Sequence, residues 1–169
     1  MNDRKIVLGL KNRSEEAFEE CYYQYKNLVF YVIIKITKNI ELAEELVQDT
    51  FIKMYQQIDS FDGKYFQAWL LTIAKNLTLN EIKKRKLEIE YGDYLVADIL
   101  DSKNEMKQLI QDLEEILNPK EYEIFILKII YDMKQREIAE YLNIPIGTVG
   151  WTYQEALKKV KKVYERGGK

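Results

Sequence analysis

Three stretches of this 169-residue chain gather side chains able to do chemistry or make specific contacts. ELAEELVQD, residues 41–49, sets Glu41, Glu45 and Asp49 four apart, which places the three carboxylates on one face of a helix beside Gln48 and Ile52. Like charges at that spacing repel, and from the residues alone the face reads as an ordinary solvated acidic surface. FDGKYFQAWLLTIAKN, residues 61–76, mixes aromatic rings with lysines. Such groups can hold unstacked nucleic-acid bases at about 1–3 kcal/mol per base, although rings at helical spacing also serve as core.

The third stretch, REIAEYLNIPIGTVGWTYQEALKKVKK at 136–162, carries the strongest local signal. A short helix, a break at Asn143-Ile144-Pro145 and a longer helix with a basic end match the layout of a helix-turn-helix. Ile138, Ala139 and Leu142 are expected to pack inward, with Ala139 small enough for the helices to approach. Ile146 and Val149 are expected to anchor the second helix. Gly150, Trp151, Tyr153, Gln154 and Lys158 are then candidates to face a DNA groove. A structural helical hairpin with a solvated lysine face fits the same residues.

Histidine is absent and Cys21 is the sole cysteine. Imidazole acid–base chemistry, Cys/His zinc sites and an internal disulfide are thereby excluded, and no metal or other cofactor is expected. No apolar run is long enough to cross a bilayer, and the charged opening MNDRKIVLGLKNRSEE does not suit a signal peptide. A cytoplasmic protein with no direct membrane insertion is expected. The net charge of −2 argues at first against a nucleic-acid partner, but the charges are segregated. Basic residues gather at 75–86 and 157–169; acidic ones gather at 41–49 and 88–115.

The elements that must position these groups are helical, given two prolines, seven glycines and abundant Lys, Glu, Leu and Ile. Apolar periodicity predicts a helix from about Ser14 to Lys38, a second from about Ile40 to Ile58, a turn at Asp59, Ser60, Asp62 and Gly63, and a third helix from Phe66 into the basic run Lys83 to Lys86. Between about Leu87 and Gln111 periodicity weakens and acidity rises, as in a linker. Beyond it, Leu113 to Leu117 closes one helix. Pro119 to Tyr131, Gln135 to Leu142 and about Gly147 to Glu165 form three more, with Asn118-Pro119 restarting the chain. The expected fold is all-α, with two small helical domains joined by a flexible acidic linker and the helix-turn-helix in the second. The carboxy-terminal unit, about 55 residues, is near the size at which a single core suffices.

Two separate phrases, in order and covering most of the chain, resemble the extracytoplasmic-function group of bacterial RNA polymerase sigma factors. ELAEELVQDTFIKMYQQIDSFDGKYFQAWLLTIAKNLTLNEIKKRK resembles their region two, and IAEYLNIPIGTV resembles region four. The resemblance implies a non-enzymatic subunit that binds core RNA polymerase and directs promoter recognition, DNA melting and transcription initiation, with no small-molecule substrate. It implies a region-two domain at 1–88, a linker at 89–111 and a region-four domain at 112–169. Glu45, Gln48, Asp49 and Ile52 would dock on a coiled coil of the polymerase clamp. Ser60, Lys64, Tyr65 and Phe66 would receive a flipped base of the minus-10 element, with Lys75 and Asn76 on the non-template strand; Trp69 reads as core, Phe66 fits the core equally, and Lys64 and Tyr65 are the favoured contacts. Thr148, Gly150, Trp151, Thr152, Gln154, Glu155 and Lys158 would meet the minus-35 element. The linker would thread toward the RNA exit path or serve as a solvated tether, and an anti-sigma partner is expected.

The chain departs from the family pattern where many relatives carry Lys, Arg and Arg and this one has Gly150, Thr152 and Glu155. Its second helix is less basic at the reading end, which weakens any inherited promoter code. Two other classes stay open on the residues alone. One is a stand-alone helix-turn-helix regulator whose first unit dimerises. The other is a helical enzyme with Glu and Asp as metal ligands, for which no site is apparent.

Overall fold

The computed structural model describes residues 3–85 and 111–167. The chain divides into two compact units, Met1–Tyr94 and Leu95–Lys169. Among the described residues every regular element is a helix. The linker expected over 89–111 lies outside the described residues except for Gln111.

In the first unit, α1 spans Asp3–Lys11, α2 Glu15–Thr37, α3 Ile40–Gln57 and α4 Phe66–Arg85, with a single 3-10 turn at Ile58–Ser60. The Ser14 side chain caps α2 by accepting from the Ala17 amide at 3.2 Å. Lys38 ends that helix in the left-handed region, and Asn39 restarts the chain by accepting from the Leu42 amide at 2.8 Å. Helix α2 packs against α1, α3 and α4, and α3 against α4. The shared seam buries Tyr25, Tyr31, Ile33, Ile34, Phe51, Met54, Leu70 and Leu71. Each such side chain is worth about 1.5–3 kcal/mol of burial, which is what commits the polar faces of these helices to the outside.

Helix α1 has no counterpart among the predicted elements. Its nine residues bury only Ile6 and Leu10, one turn apart, too short a pattern to register as an amphipathic helix. Tertiary contacts hold it. A Cβ on Gly9 would stand 2.5 Å from the Ala17 Cβ, so glycine is required for α1 to lie this close to α2. The Tyr25 hydroxyl donates to Asp3 at 2.6 Å, Lys11 donates to the Phe61 carbonyl at 3.0 Å, and Arg13 donates to the Tyr55 carbonyl at 2.7 Å. Cys21 lies fully buried beside this seam, where burial pushes its thiol pKa up to about 12 and keeps it protonated and unreactive.

In the second unit, residues 111–116 are helical, followed by α5 at Pro119–Ile129, α6 at Gln135–Leu142 and α7 at Ile146–Gly167. Pro119 opens α5 where its missing N–H costs nothing, and Asn118 and Glu121 form a reciprocal capping box. Helices α5 and α6 both pack on α7, around Ile124, Ile126, Leu127, Met133, Ile138, Val149 and Ala156. Phe125 stacks on Tyr153 with ring centroids 6.0 Å apart.

Glu121 ties the unit together. It is buried, accepts from the Asn118 amide at 3.0 Å, and receives Lys159 of α7 at 2.7 Å. Burial alone would raise its carboxyl pKa, but the Lys159 ammonium and the Asn118 amide outweigh it and hold the group below its ordinary 4.5. A carboxylate depressed on folding contributes fully above the unfolded value and loses that contribution as pH falls through the lower folded one. Glu121→Gln keeps the capping bond and removes the charge. The expected cost at neutral pH is about 1 kcal/mol, modest because Lys159 is half exposed, and the variant should lack part of the parent's loss of protection below about pH 4.5. Hydrogen exchange of α5 and α7 amides in the full chain measures both effects.

Candidate protein and nucleic-acid interfaces

The acidic face of α3 follows from its buried face. Leu42, Ala43, Leu46, Val47, Thr50, Phe51 and Met54 point into the first unit, and Thr50 satisfies its hydroxyl by donating to the Leu46 carbonyl at 2.7 Å. That leaves Glu41, Glu44, Glu45, Gln48, Asp49 and Ile52 outside, all exposed, with Ile52 at 53%. One member has an intramolecular partner that the sequence spacing concealed. Arg85, at the basic end of α4, donates to Glu45 at 2.9 Å and to Glu81 one turn before it. The hydrogen bond from Arg85 holds the Glu81 carboxyl below the usual range. Arg85 and Glu45 are exposed, so salt screens their contact and a partner can exchange for it.

The segment between α3 and α4 sits on an aromatic cluster. Phe61 lies 5.6 Å from Phe66 and 5.0 Å from Trp69, and Phe66 also meets Tyr25 at 5.7 Å. Phe66, expected as a base contact, is 2% exposed and belongs to the core, because it opens α4 facing Tyr25 and Phe61. Trp69 is half buried in the same cluster. The loop above it projects Ser60, Lys64 and Tyr65 into solvent. Its shape is held by the Asp62 carboxylate, which accepts from the Lys64 amide at 2.9 Å, and by two left-handed residues, Gly63 at φ 87° and Tyr65 at φ 52°. A tyrosine in that region is strained, at a cost of about 1–3 kcal/mol. Lys75 and Asn76 lie on the exposed stripe of α4 that also includes Thr72, Leu79, Asn80 and Lys83. The spacing i, i+3, i+4, i+7 in the sequence could have identified those four as well.

In the second unit, α6 ends at Asn143 in the left-handed region, where the Ile144 amide donates back to the Ala139 carbonyl at 3.0 Å. The chain then enters α7 with the Thr148 amide donating to the Pro145 carbonyl at 2.9 Å. Val149 and Ala156 are fully buried, and Ile138 faces them from α6. Two expectations change here. Ile146 is 47% exposed, so Val149 rather than Ile146 anchors the start of α7. Thr152, expected at the groove, is 4% exposed because it lies one turn after the buried Val149 on the inward face. Thr148, Gly150 and Glu155 are half buried, whereas Trp151, at 67%, and Gln154 and Lys158 stand clear. Glu155 accepts from Lys158 at 2.7 Å. The sequence reading missed Gln135 at the start of α6, whose side-chain amide lies 3.8 Å from where a Cβ on Gly150 would stand.

Among the described residues no group of three or more Cys, Asp or Glu gathers as a metal site, and no helix is long and apolar enough to cross a membrane. The chain thus carries a helical unit with an acidic outer face, followed by a helix-turn-helix unit, the layout of a DNA-binding motif. Residues 21–88 match the Sigma-70 region 2 family, and residues 107–160 match Sigma-70, region 4. The chain is 32% identical to the ECF RNA polymerase sigma factor SigW of Bacillus subtilis, over 92% of this chain and 95% of SigW. It is 26% identical to SigM of the same organism, over 89% of this chain and 97% of SigM. In fold it is similar to CnrH, solved with the cytosolic domain of CnrY, with a TM-score of 0.61, 19% identity and 97% of both chains covered. It is also similar to the sigma factor RpoE of Bartonella quintana, solved with the anti-sigma factor NepR, with a TM-score of 0.57, 20% identity, and 88% and 96% of the two chains covered. The chain belongs to the ECF RNA polymerase sigma factors, alternative sigma factors that direct promoter recognition for transcription initiation.

The aromatic cluster and the exposed stripe of α4 should separate in stability. Phe66→Ala is expected to cost about 3–5 kcal/mol of unfolding free energy and Asn76→Ala less than about 0.5 kcal/mol, measured by denaturant titration of the full chain.

Proposed function

We propose that residues 1–88 dock on core RNA polymerase through Glu45, Gln48, Asp49 and Ile52 and hold the melted minus-10 strand with Ser60, Lys64, Tyr65, Lys75 and Asn76. Residues 112–169 bind the minus-35 duplex through Thr148, Gly150, Trp151, Gln154, Glu155 and Lys158, and residues 89–111 join the two. Phe66 and Thr152 support these surfaces from beneath. The observation that carries the reading is the face of α3, where an apolar Ile52 stands 53% exposed among carboxylates with a fully buried stripe opposite. An apolar side chain flanked by polar ones suits a docking surface, with an apolar centre and a polar rim.

The protein works in the cytoplasm, where core polymerase is found, and needs no cofactor because its work is binding rather than bond chemistry. Unstacking at the minus-10 element is offset by stacking on Tyr65 and by nearby lysine charge. The two solved relatives above are each complexed with a protein partner, one of them a named anti-sigma factor, and this chain is proposed to have an inhibitor of the same kind.

Titration of labelled full-length chain with bacterial core polymerase should give a Kd tighter than about 1 µM, weakened about tenfold by Asp49→Lys with helicity intact. No binding at micromolar core removes the proposal. Tyr65→Gly separates loop function from loop stability. It should relieve the left-handed backbone, keep stability within about 1 kcal/mol of the parent, and still lower run-off transcription severalfold.

A further inference from the structure

We infer that the upstream duplex recognised by α7 is read as A·T base pairs, through Trp151 on thymine methyl groups and Gln154 on adenine, with no guanine contact from this helix. The inference rests on the reading of α7 as the minus-35 helix, and it names the class of sequence that helix takes.

The argument starts from what the outward face of α7 lacks. Residues 146–157 contain neither lysine nor arginine. Guanine is recognised in the major groove chiefly by a cation that donates to its O6 and N7 acceptors, and α7 supplies none before Lys158. Arg136 is exposed, but it stands on α6, the helix that crosses the phosphate backbone in this motif. In its place the outward face offers Ile146 at 47% exposure, Gly147, Trp151 at 67% and Gln154. Positions 147, 150, 151, 154 and 158 follow helical spacing, while Val149, Thr152 and Ala156 turn inward, so this is one surface.

Each exposed group has a matching base edge. A glutamine carboxamide accepts and donates side by side, as adenine N6 and N7 require, and an apolar ring packs against the thymine C5 methyl. Two glycines let the backbone come close. Nothing lies within 4 Å of a Cβ built on Gly147, and on Gly150 such an atom meets only the Gln135 amide, at 3.8 and 3.9 Å. Gln135 therefore brings a second carboxamide to the rim of the same surface. Glu155 is the one group on this face that favours a G·C pair, since a carboxylate accepts from cytosine N4; it is half buried and accepts from Lys158 at 2.7 Å, so a cytosine would have to displace that partner. Lys161 and Lys162 follow as exposed cations for phosphate.

The test selects duplexes, randomised along their length, through complexes of the full chain with bacterial core RNA polymerase, and sequences the retained pool. The upstream half of the enriched motif should consist of A·T pairs. Gln154→Ala should relax one adenine preference about tenfold, Trp151→Ala should relax a neighbouring thymine, and Gln154→Arg should install guanine at the position that Gln154 read. Both side chains are exposed, so helicity by circular dichroism should match the parent in all three variants. Strong G·C positions upstream in the parent, a cytosine preference lost in Glu155→Gln, or a motif indifferent to Trp151 and Gln154 would each overturn the inference while leaving the sigma reading in place. Failure of the parent chain to bind core polymerase would overturn both.

Discussion

The apolar seam between α2, α3 and α4 is the constraint from which the first unit's surfaces follow. Phe51, Met54, Tyr25, Leu70 and Leu71 can be buried only if Glu41, Glu45, Asp49 and Ile52 on one helix and Lys75 and Asn76 on another point away from that seam. Packing of that seam and the caps at Ser14 and Asn39 supply the order, and the lone cysteine is a protonated core thiol. The strained Tyr65 is affordable on the same terms. Beneath it, Phe61, Phe66 and Trp69 form a cluster that over-determines the loop's path.

The second unit is smaller and leans on polar contacts as well as on its core. Glu121 joins the start of α5 to the middle of α7 through Asn118 and Lys159, and Asn143 turns the chain between α6 and α7. With α7 fixed this way, inward Val149, Thr152 and Ala156 determine that Trp151 and Gln154 face out. The near-neutral total charge has a physical meaning in this arrangement. A chain of net charge −2, with a carboxylate face on α3 and no cation on α7 before Lys158, has little long-range attraction for DNA by itself. The proposed docking of core polymerase on the acidic face would shield those carboxylates from DNA.

Much of this was legible in the sequence where periodicity is long. The helices from Ser14, Ile40 and Phe66 appear within a residue or two of expectation, and Gln135–Leu142 matches its α6 bounds, because extended apolar stripes and the Asn118-Pro119 and Asn143-Ile144-Pro145 breaks are local signals. The failures are tertiary. Helix α1 is held by Gly9 against Ala17, a contact between helices that no pattern within either one reveals. Thr152 lies inward rather than at the groove because one residue of helical phase is 100° of rotation, which resemblance to a family does not resolve, and Ile146 stands exposed because periodicity does not determine which residue of the first turn of α7 packs. Arg85 reaches Glu45 across forty positions of sequence, and Gln135 approaches Gly150 only once the turn has closed.

The central claim is that this chain opens promoter DNA only in company with core polymerase. The direct measurement is fluorescence of a base analogue placed in the minus-10 region of a duplex taken from upstream of the chain's own coding sequence, with no nucleotide added. The account predicts a rise in signal when full chain and core are both present, and none with either alone. A duplex that stays closed with both, or opens with the chain by itself, would contradict it.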